Sequence, residues 1–347
     1  MKNFHEFLLT YQSVTERNPR LTFFTPEEVL SLSNERFLIT GAGGSIGSRI
    51  VHLIASIPGA TYLATDRDET SLHSLSLSLT SKALFDSSNF ELLDVRDPVG
   101  VETCVANFKP TTIIHAAALK HLSVLQKQPR EATLTNVIGT ANLVDIAVKN
   151  GINKFVNIST DKASDPTSIL GISKHLTELY VANIRSTFNV LYTSCRFGNV
   201  FNSRGSVIET FISQMRQNSP VTLTNSNISR YFMHEDEAAY LTVKSLIINQ
   251  SDVHIFDMGE PIMISKIIQN MQKILNSTSA VIITGMREGE KMHEQLVENG
   301  LSLTSSSYPH ISTLSLIQEV KSNFEALSLV KNKNESEITE FMKLKCK

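Results

Sequence analysis

A hydroxyl, a carboxylate and an amine follow one another at Thr160, Asp161 and Lys162, directly after the apolar run Lys154-Phe155-Val156-Asn157-Ile158. The run reads as a strand. Ligands of open parallel sheets sit just beyond the carboxyl ends of the strands, so these three groups are placed where a ligand would lie. A second amine, Lys174, closes Leu170-Gly171-Ile172-Ser173-Lys174, which opens a helix. A carboxylate and two amines together could move protons, provided their pKa values are drawn toward neutrality. Alone, the stretch is equally a polar loop with a chance charge pair, and the elements that position it decide between the two.

The first of those elements is a phosphate loop. Arg36-Phe37-Leu38-Ile39-Thr40 reads as a buried strand, followed by Gly41-Ala42-Gly43-Gly44-Ser45-Ile46-Gly47 and a helix from Ser48 to Ser56. A glycine-rich turn is often only a turn, but between a strand and a helix it stands where a dinucleotide loop belongs. Gly41 permits the tight turn, Gly44 lets the backbone approach a pyrophosphate, and Gly47 lets the helix pack on the strand. Exposed amides, with Ser45 and Ile46 as candidates, and the helix dipole would hold the phosphates.

Next, Ala60 to Thr65 reads as a strand ending in Asp66-Arg67-Asp68-Glu69. Asp66 falls about 20 residues past the loop, where an acid binds the ribose hydroxyls of NAD. Arg67 could equally bind the extra phosphate of NADP, so the two neighbours point in opposite directions. A third strand, Phe90 to Leu93, leads to Asp94 and Val95, with Asp94 placed to meet an adenine amino group. Alternatively, Asp94 or Asp97 merely caps the helix Pro98 to Phe108. The fourth strand, Thr112 to His115, opens into Ala116 and Ala117, whose small side chains let a flat cofactor lie close. Lys120 and His121 then face whatever sits beyond it, although His121 is equally an ordinary loop histidine. The helix Arg130 to Asn150 contains Asn136, a poor helix former, better tolerated where its amide ties strands together or holds a water. Strand, loop and helix alternate five times, the mark of an α/β protein with a doubly wound parallel sheet.

A helix Ile172 to Ser186 and a strand Val190 to Ser194 complete that sheet. Beyond them, the Asn202 to Val207 run, containing Arg204, starts a new helix with a basic residue and small donors. Asn199, Arg230, Arg287 and Glu290 lie in further polar turns, and Val221 to Thr224 alternates like a strand. Each arginine alone is a solvated charge; together they resemble a divided pocket for an anionic, hydroxyl-rich ligand. The expected division is a helical extension over 1–35, a dinucleotide domain over 36–200, a smaller substrate domain over 201–310 and a peripheral tail over 311–347. Residues 237–262 are expected to pack back on the dinucleotide domain. In the extension, Phe4, Phe7, Leu8, Tyr11 and Val14 share one helix face. Thr25-Pro26-Glu27-Glu28 is a helix start.

The 347 residues, 41% hydrophobic and 19% charged, are ordinary for a globular protein. The net charge of −2 speaks against a nucleic-acid surface, which needs a basic excess. Cys104, Cys195 and Cys346 are scattered, without metal spacing, which fits a reducing cytoplasm. No apolar run approaches the roughly 20 residues of a membrane span.

These motifs resemble extended short-chain dehydrogenase/reductases, in particular bacterial UDP-N-acetylglucosamine 4,6-dehydratases of the polysaccharide-biosynthesis type. The matching segments are Thr40–Gly47, His115–His121, Ser159–Ala163, Arg196–Val207, Arg230–Met233 and Arg287–Glu294, in the family's order. The resemblance implies a Rossmann fold with a smaller C-terminal substrate domain, a UDP-sugar substrate, a homo-oligomer, and tightly bound NADP or NAD recycled in each turnover. It places Thr160, Asp161 and Lys162 at the catalytic strand end and Lys174 at the nicotinamide ribose. Around the UDP half it places Arg196, Asn199, Arg204, Arg230, Arg287 and Glu290. The superfamily's catalytic tyrosine is Leu170 here; some dehydratases of this type carry methionine there. Larger relatives carry an N-terminal membrane region, expected to be missing here.

By resemblance, carbon 4 of the sugar is oxidised, a base removes the carbon-5 proton while an acid protonates the leaving hydroxyl at carbon 6, and hydride returns to carbon 6. Lys162 is the expected carbon-5 base, on condition that burial or Lys174 lowers its pKa. Asp161 is the expected donor at carbon 6 and the base at the carbon-4 hydroxyl, with Thr160 hydrogen-bonded to that oxygen. Retention at carbon 5 is expected from the methionine-bearing relatives. The rival readings are a nucleotide-sugar 4-epimerase and a non-catalytic cofactor-binding sensor. The Asp161-Lys162 pair favours elimination, since epimerisation needs no acid at carbon 6.

Overall fold

The computed structural model describes residues 10–20, 23–81, 88–201, 203–248, 252–316, 336–337 and 340–341. Phe4, Phe7, Leu8 and Asn202, and the tail beyond Leu316 apart from the last two pairs, lie outside them. Six apolar runs form β1 (Arg36–Thr40), β2 (Thr61–Asp66), β3 (Phe90–Leu92), β4 (Thr112–His115), β5 (Lys154–Ile158) and β6 (Leu191–Arg196). They are parallel, in the order β3-β2-β1-β4-β5-β6. The order reverses between β1 and β4, where ligands of such sheets bind. Val253–Phe256 extends the sheet in parallel beside β6.

Both faces are covered, which is why strands such as Phe37-Leu38-Ile39 are apolar without alternation. On one side the helices Ser45–Ala55 and Glu235–Lys244 pack together over Phe37 and Ile39. On the other, Pro98–Phe108, Gly139–Lys149 and Ile169–Phe188 cover Leu38, Ile113 and Phe155. The doubly wound sheet expected from the alternation is therefore present. Among the described residues no helix is long and apolar enough to cross a membrane.

A separate core joins the helices Val207–Arg216 and Ile264–Leu275 through Phe211, Met215, Ile267 and Met271. The N-terminal arm plugs into it. Tyr11 and Val14 are buried there, the Tyr11 hydroxyl donates to the Phe232 carbonyl (3.0 Å), and Asn270 donates to the Val14 carbonyl (3.0 Å). Thr25 and Glu28 form a reciprocal cap ahead of Pro26, satisfying two amides that the helix start leaves open.

Several boundaries differ from expectation. The helix after the glycine loop opens at Ser45, not Ser48, and the helix carrying Lys174 opens at Ile169, where the Ser168 hydroxyl accepts from the Gly171 amide (3.1 Å). The segment from 311 does not begin as a peripheral tail: Ile311–Leu314 is a buried strand antiparallel to Val253–Phe256. The expected helix Arg130 to Asn150 contains a π-helical turn over Thr133–Ile138. Asn136 lies in that turn and ties a loop to a helix, not strand to strand. Its amide nitrogen donates to the Leu119 carbonyl (3.1 Å) and the Ser173 hydroxyl (2.9 Å), and its oxygen accepts from the Leu119 amide (2.8 Å). A widened turn aims one side chain out of the helical ladder, and such turns are frequent at functional sites.

Candidate functional site

The glycine loop is built by close backbone approach. Gly41 has φ of +67°, and a Cβ there would stand 2.4 Å from the Ala117 nitrogen. A Cβ on Gly47 would stand 2.2 Å from the Gly41 carbonyl oxygen. Gly44 is the N-cap of Ser45–Ala55 and supplies no capping side chain, so the first-turn amides, those of Ser45 and Ile46 among them, remain for a ligand. A cradle that any Cβ would fill, at a helix N-terminus, fits a dinucleotide pyrophosphate. Asp66 braces it, accepting from the Gly43 and Asp68 amides (both 3.0 Å).

Arg67, Asp68, Leu92, Leu93, Asp94 and Arg96 line a cleft of about 520 Å³ beyond β2 and β3, where an adenosine could lie. Arg67 is exposed. Asp97 caps the helix Pro98–Phe108 by accepting from the Val99 amide (3.0 Å), while Asp94 pairs with Arg96 (Nε to Oδ2, 2.9 Å). Hydrogen bonding from Arg96 holds the Asp94 carboxyl below its usual range. Val95 is buried against Gly139, and its carbonyl accepts from Asn142 (3.0 Å), so its side chain serves the core. Ala116 and Ala117 are half-buried at the switch point.

At the end of β5, Asp161 is fully buried and Lys162 largely so. Lys162 Nζ is 2.9 Å from Asp161 Oδ1, which also accepts from the Thr160 hydroxyl (2.9 Å). A third charged group joins them: Glu294 Oε1 is 3.6 Å from Lys162 Nζ. Burial pulls the Lys162 pKa down, but Asp161 and Glu294 outweigh it and the net direction is up. The condition set for Lys162 as a resting base is not met. Of Lys162 and Lys174, the one drawn toward neutrality is Lys174, lowered by burial to about 8 with Glu178 opposing. Leu170 is buried in an apolar cluster with Leu125, Ile172 and Leu176, so nothing titrates at the tyrosine's position.

The Lys174 value carries a sign. The folded pKa of about 8 lies below the roughly 10.4 of an unfolded lysine. Between those values the unfolded chain binds more protons, so stability rises with pH across that window. Urea unfolding from pH 7.5 to 10.5 should show this rise in the cofactor-free protein and lose it in Lys174→Met; equal slopes in both would refute the assignment.

The remaining candidates stand on several different elements. Lys120 and His121 are exposed on the loop after β4. His121 faces Gly205, where a Cβ would come within 2.7 Å of the ring. Arg204 lies on the glycine loop, apart from Arg230: its guanidinium donates to the Ser71 hydroxyl (2.8 Å) and the Gly43 carbonyl, and its amide to the Ser45 hydroxyl (3.0 Å). Arg230 is buried, donating to the carbonyls of Ser229 (2.7 Å) and Lys291 (2.9 Å) and reaching Glu290 Oε1 at 3.4 Å. Glu290 also accepts from Thr224 (3.1 Å) and from the amide of Arg287 (3.2 Å), itself exposed. Asn199 is half-buried in a two-residue strand beside Phe232–Met233. The 287–294 segment closes on the Asp161 turn, with Lys291 Nζ donating to the Ser164 carbonyl (2.7 Å).

Arg196 is not placed at a ligand. It is fully buried, donating to Glu178 Oε1 (3.0 Å), Glu298 Oε1 (2.7 Å) and the Leu296 carbonyl (2.9 Å). Glu294, Arg96 and Glu178 were not singled out from sequence. Glu178 stands one helical turn after Lys174, a spacing at which side chains meet; Glu294 carries no local signal beyond lying in a matching segment.

Residues 37–316 match the sequence model of the polysaccharide biosynthesis protein family. The chain is 33% identical over 299 residues to the probable polysaccharide biosynthesis protein EpsC of Bacillus subtilis, covering 84% of this chain and 50% of that protein; it thus spans about half that relative's length. It is 30% identical over 276 residues to a UDP-glucose 4-epimerase of Rickettsia rickettsii (77% of this chain, 78% of that protein). It is 28% identical over 305 residues to an inverting UDP-N-acetylglucosamine 4,6-dehydratase of Campylobacter jejuni (86% and 88%). Among solved structures, Pen from Bacillus thuringiensis matches with a TM-score of 0.73 at 26% identity, covering 87% of this chain and 99% of that one. DesIV, a dTDP-glucose 4,6-dehydratase of Streptomyces venezuelae with NAD bound, matches in fold with a TM-score of 0.65 at 20% identity (75% and 88%).

Proposed function

This chain belongs to the family of polysaccharide biosynthesis proteins, and we propose that it is a nucleotide-sugar 4,6-dehydratase. The substrate read for it is UDP-N-acetylglucosamine, the product UDP-2-acetamido-2,6-dideoxy-4-hexulose with retention at carbon 5. The observation that carries this reading is the buried Asp161-Lys162 pair at the end of β5, beside the switch point. Elimination needs an acid and a base at adjacent carbons, whereas moving hydride to and from carbon 4 does not. The inverting dehydratase of Campylobacter jejuni, matching along 86% of this chain, supports the dehydration and the substrate but not the retention, which rests on Leu170 alone; the epimerase relative keeps 4-epimerisation as the second reading.

A dinucleotide bound at the glycine loop supplies a reversible hydride acceptor. Thr160 hydrogen-bonds the carbon-4 oxygen. With Leu170 unable to titrate, Asp161 takes the carbon-4 hydroxyl proton and later gives it to the departing carbon-6 oxygen. Lys162, as the free amine, takes the carbon-5 proton and returns it to the same face. Lys174 holds the nicotinamide ribose. Each proton transfer by a positioned group contributes roughly 10²–10⁴-fold.

Incubation with UDP-N-acetylglucosamine and dinucleotide in heavy water, followed by NMR, tests the reading. A 4-keto-6-deoxy sugar of the xylo configuration is expected. An isomerised sugar means epimerase, and no conversion removes this substrate. An inverted, deuterated carbon 5 in the first-formed product overturns retention and requires a second acid on the far face of the ring.

The cofactor read for this site is NADP rather than NAD, through Arg67. Arg67→Ala should then weaken NADP roughly tenfold to a hundredfold, the worth of a charge-assisted phosphate contact, and leave NAD nearly unchanged. Calorimetric titration of both dinucleotides checks this. Tighter binding of NAD by the unmodified protein would reverse the preference.

A further inference from the structure

Lys162 lies between two carboxylates that differ in what else they touch. Asp161 Oδ1 accepts from Lys162 Nζ (2.9 Å) and from the Thr160 hydroxyl (2.9 Å). Glu294, its side chain 2% exposed, reaches Lys162 at 3.6 Å; its Oε2, like Asp161 Oδ2, is buried with no hydrogen-bond partner among the described residues, so each carboxylate has one oxygen left for a proton. Arg230 is the further charge acting on Lys162, opposing its ammonium; Tyr231 lies on the Asp161 side, across Gly198. Glu294 arrives on the 287–294 segment, which closes over the Asp161 turn through Lys291 and Ser164.

Two opposite charges sealed from water are costly, and a proton crossing between them leaves a neutral pair. We propose that Glu294 is a positioning residue that accepts the ammonium proton of Lys162 when a nucleotide-sugar seals the site, freeing the amine that acts at carbon 5. This rests on the dehydratase reading above. An N–H bond of Lys162 breaks, the nitrogen keeps the electron pair, and an O–H bond forms on Glu294. The amine then takes the carbon-5 proton, and both protons return to their donors by the end of the turnover. The proton that Asp161 carries is committed to the carbon-4 and carbon-6 oxygens in that reading, which leaves Glu294 as the carboxylate free to take the proton of Lys162.

Two measurements test this. The first is the titration of Lys162 Nζ by NMR in lysine-labelled protein, with its signal assigned through Lys162→Arg. In Glu294→Gln, Lys162 should titrate at lower pH than in the unmodified protein. The second is deuterium exchange at carbon 5 of the 4-keto-6-deoxy product, which needs no hydride transfer. Read at a pH below the Lys162 titration of the variant, so that the amine must still be freed, exchange should slow by roughly 10²-fold or more in Glu294→Gln and recover largely in Glu294→Asp. An unchanged Lys162 titration, or exchange at the unmodified rate in Glu294→Gln, overturns the proposal. Unmodified protein that exchanges no carbon-5 proton is a failure of the dehydratase reading, and the role of Glu294 is then decided by the Lys162 titration alone.

Discussion

Asp161→Asn should lower turnover by roughly 10²–10⁴-fold, the range for losing one general acid–base group, while dinucleotide binding stays intact. The amide keeps the shape of a side chain that is fully buried, and it can still accept from Thr160 and Lys162. What it loses is the proton transfer between the carbon-4 and carbon-6 oxygens that we propose for Asp161. It also removes one of the two charges that hold the Lys162 pKa up, so the pH profile of the residual activity should shift toward acid. The glycine loop and the Arg67 cleft are built from other strand ends, so NAD and NADP affinities serve as the internal control. Product formation by NMR at saturating substrate gives the turnover. Near-normal turnover in this variant would remove Asp161 from the chemistry and leave the pair with Lys162 a structural one.

The second large effect concerns stability. Arg196→Met should cost about 3–5 kcal/mol, the penalty for removing one partner of a buried charge pair. Arg196 and Glu178 both have side chains with no exposed surface. With the guanidinium gone, Glu178 keeps the Ser159 hydroxyl at 2.5 Å, and Glu298 loses its bonds at 2.7 and 2.9 Å. The clamp joins β6, the long helix Ile169–Phe188 and the chain at 296–298, so its loss loosens the shelf under Lys174 as well. Urea unfolding at neutral pH measures the deficit. The double variant Arg196→Met, Glu178→Met should recover much of it, since a buried pair replaced by apolar side chains of similar volume is often neutral. A deficit below 1 kcal/mol in the single variant would show that the guanidinium is solvated and the clamp wrongly placed.

The parts that were legible in the sequence share a local cause. The turn at Gly41, the Thr25 cap, the helix Pro98–Phe108 and the strand Thr112–His115 follow from steric limits, capping chemistry and hydrophobic period, all set within a few residues. The five-fold alternation of strand and helix then leaves few topologies besides the parallel sheet. Asn136 stood out for the same reason, as a residue its own helix disfavours; the loop and helix it joins did not.

What the sequence by itself determined, then, is the glycine-loop turn, the sheet and the strand end that presents Thr160, Asp161 and Lys162. Only the tertiary structure decided the charge partners. It put Glu294 beside Lys162, Arg204 on the glycine loop, and Arg196 inside the protein between Glu178 and Glu298. It also decided which lysine is pulled toward neutrality. Lys162 and Lys174 are both largely buried, but Lys162 lies against two carboxylates while burial prevails over Glu178 at Lys174. A side chain's charge depends on desolvation and on opposite charges within a few ångströms; Asp161 and Glu178 are near in sequence, but the burial and the second carboxylate at Lys162, Glu294, come from segments more than a hundred residues away, beyond the reach of any local pattern.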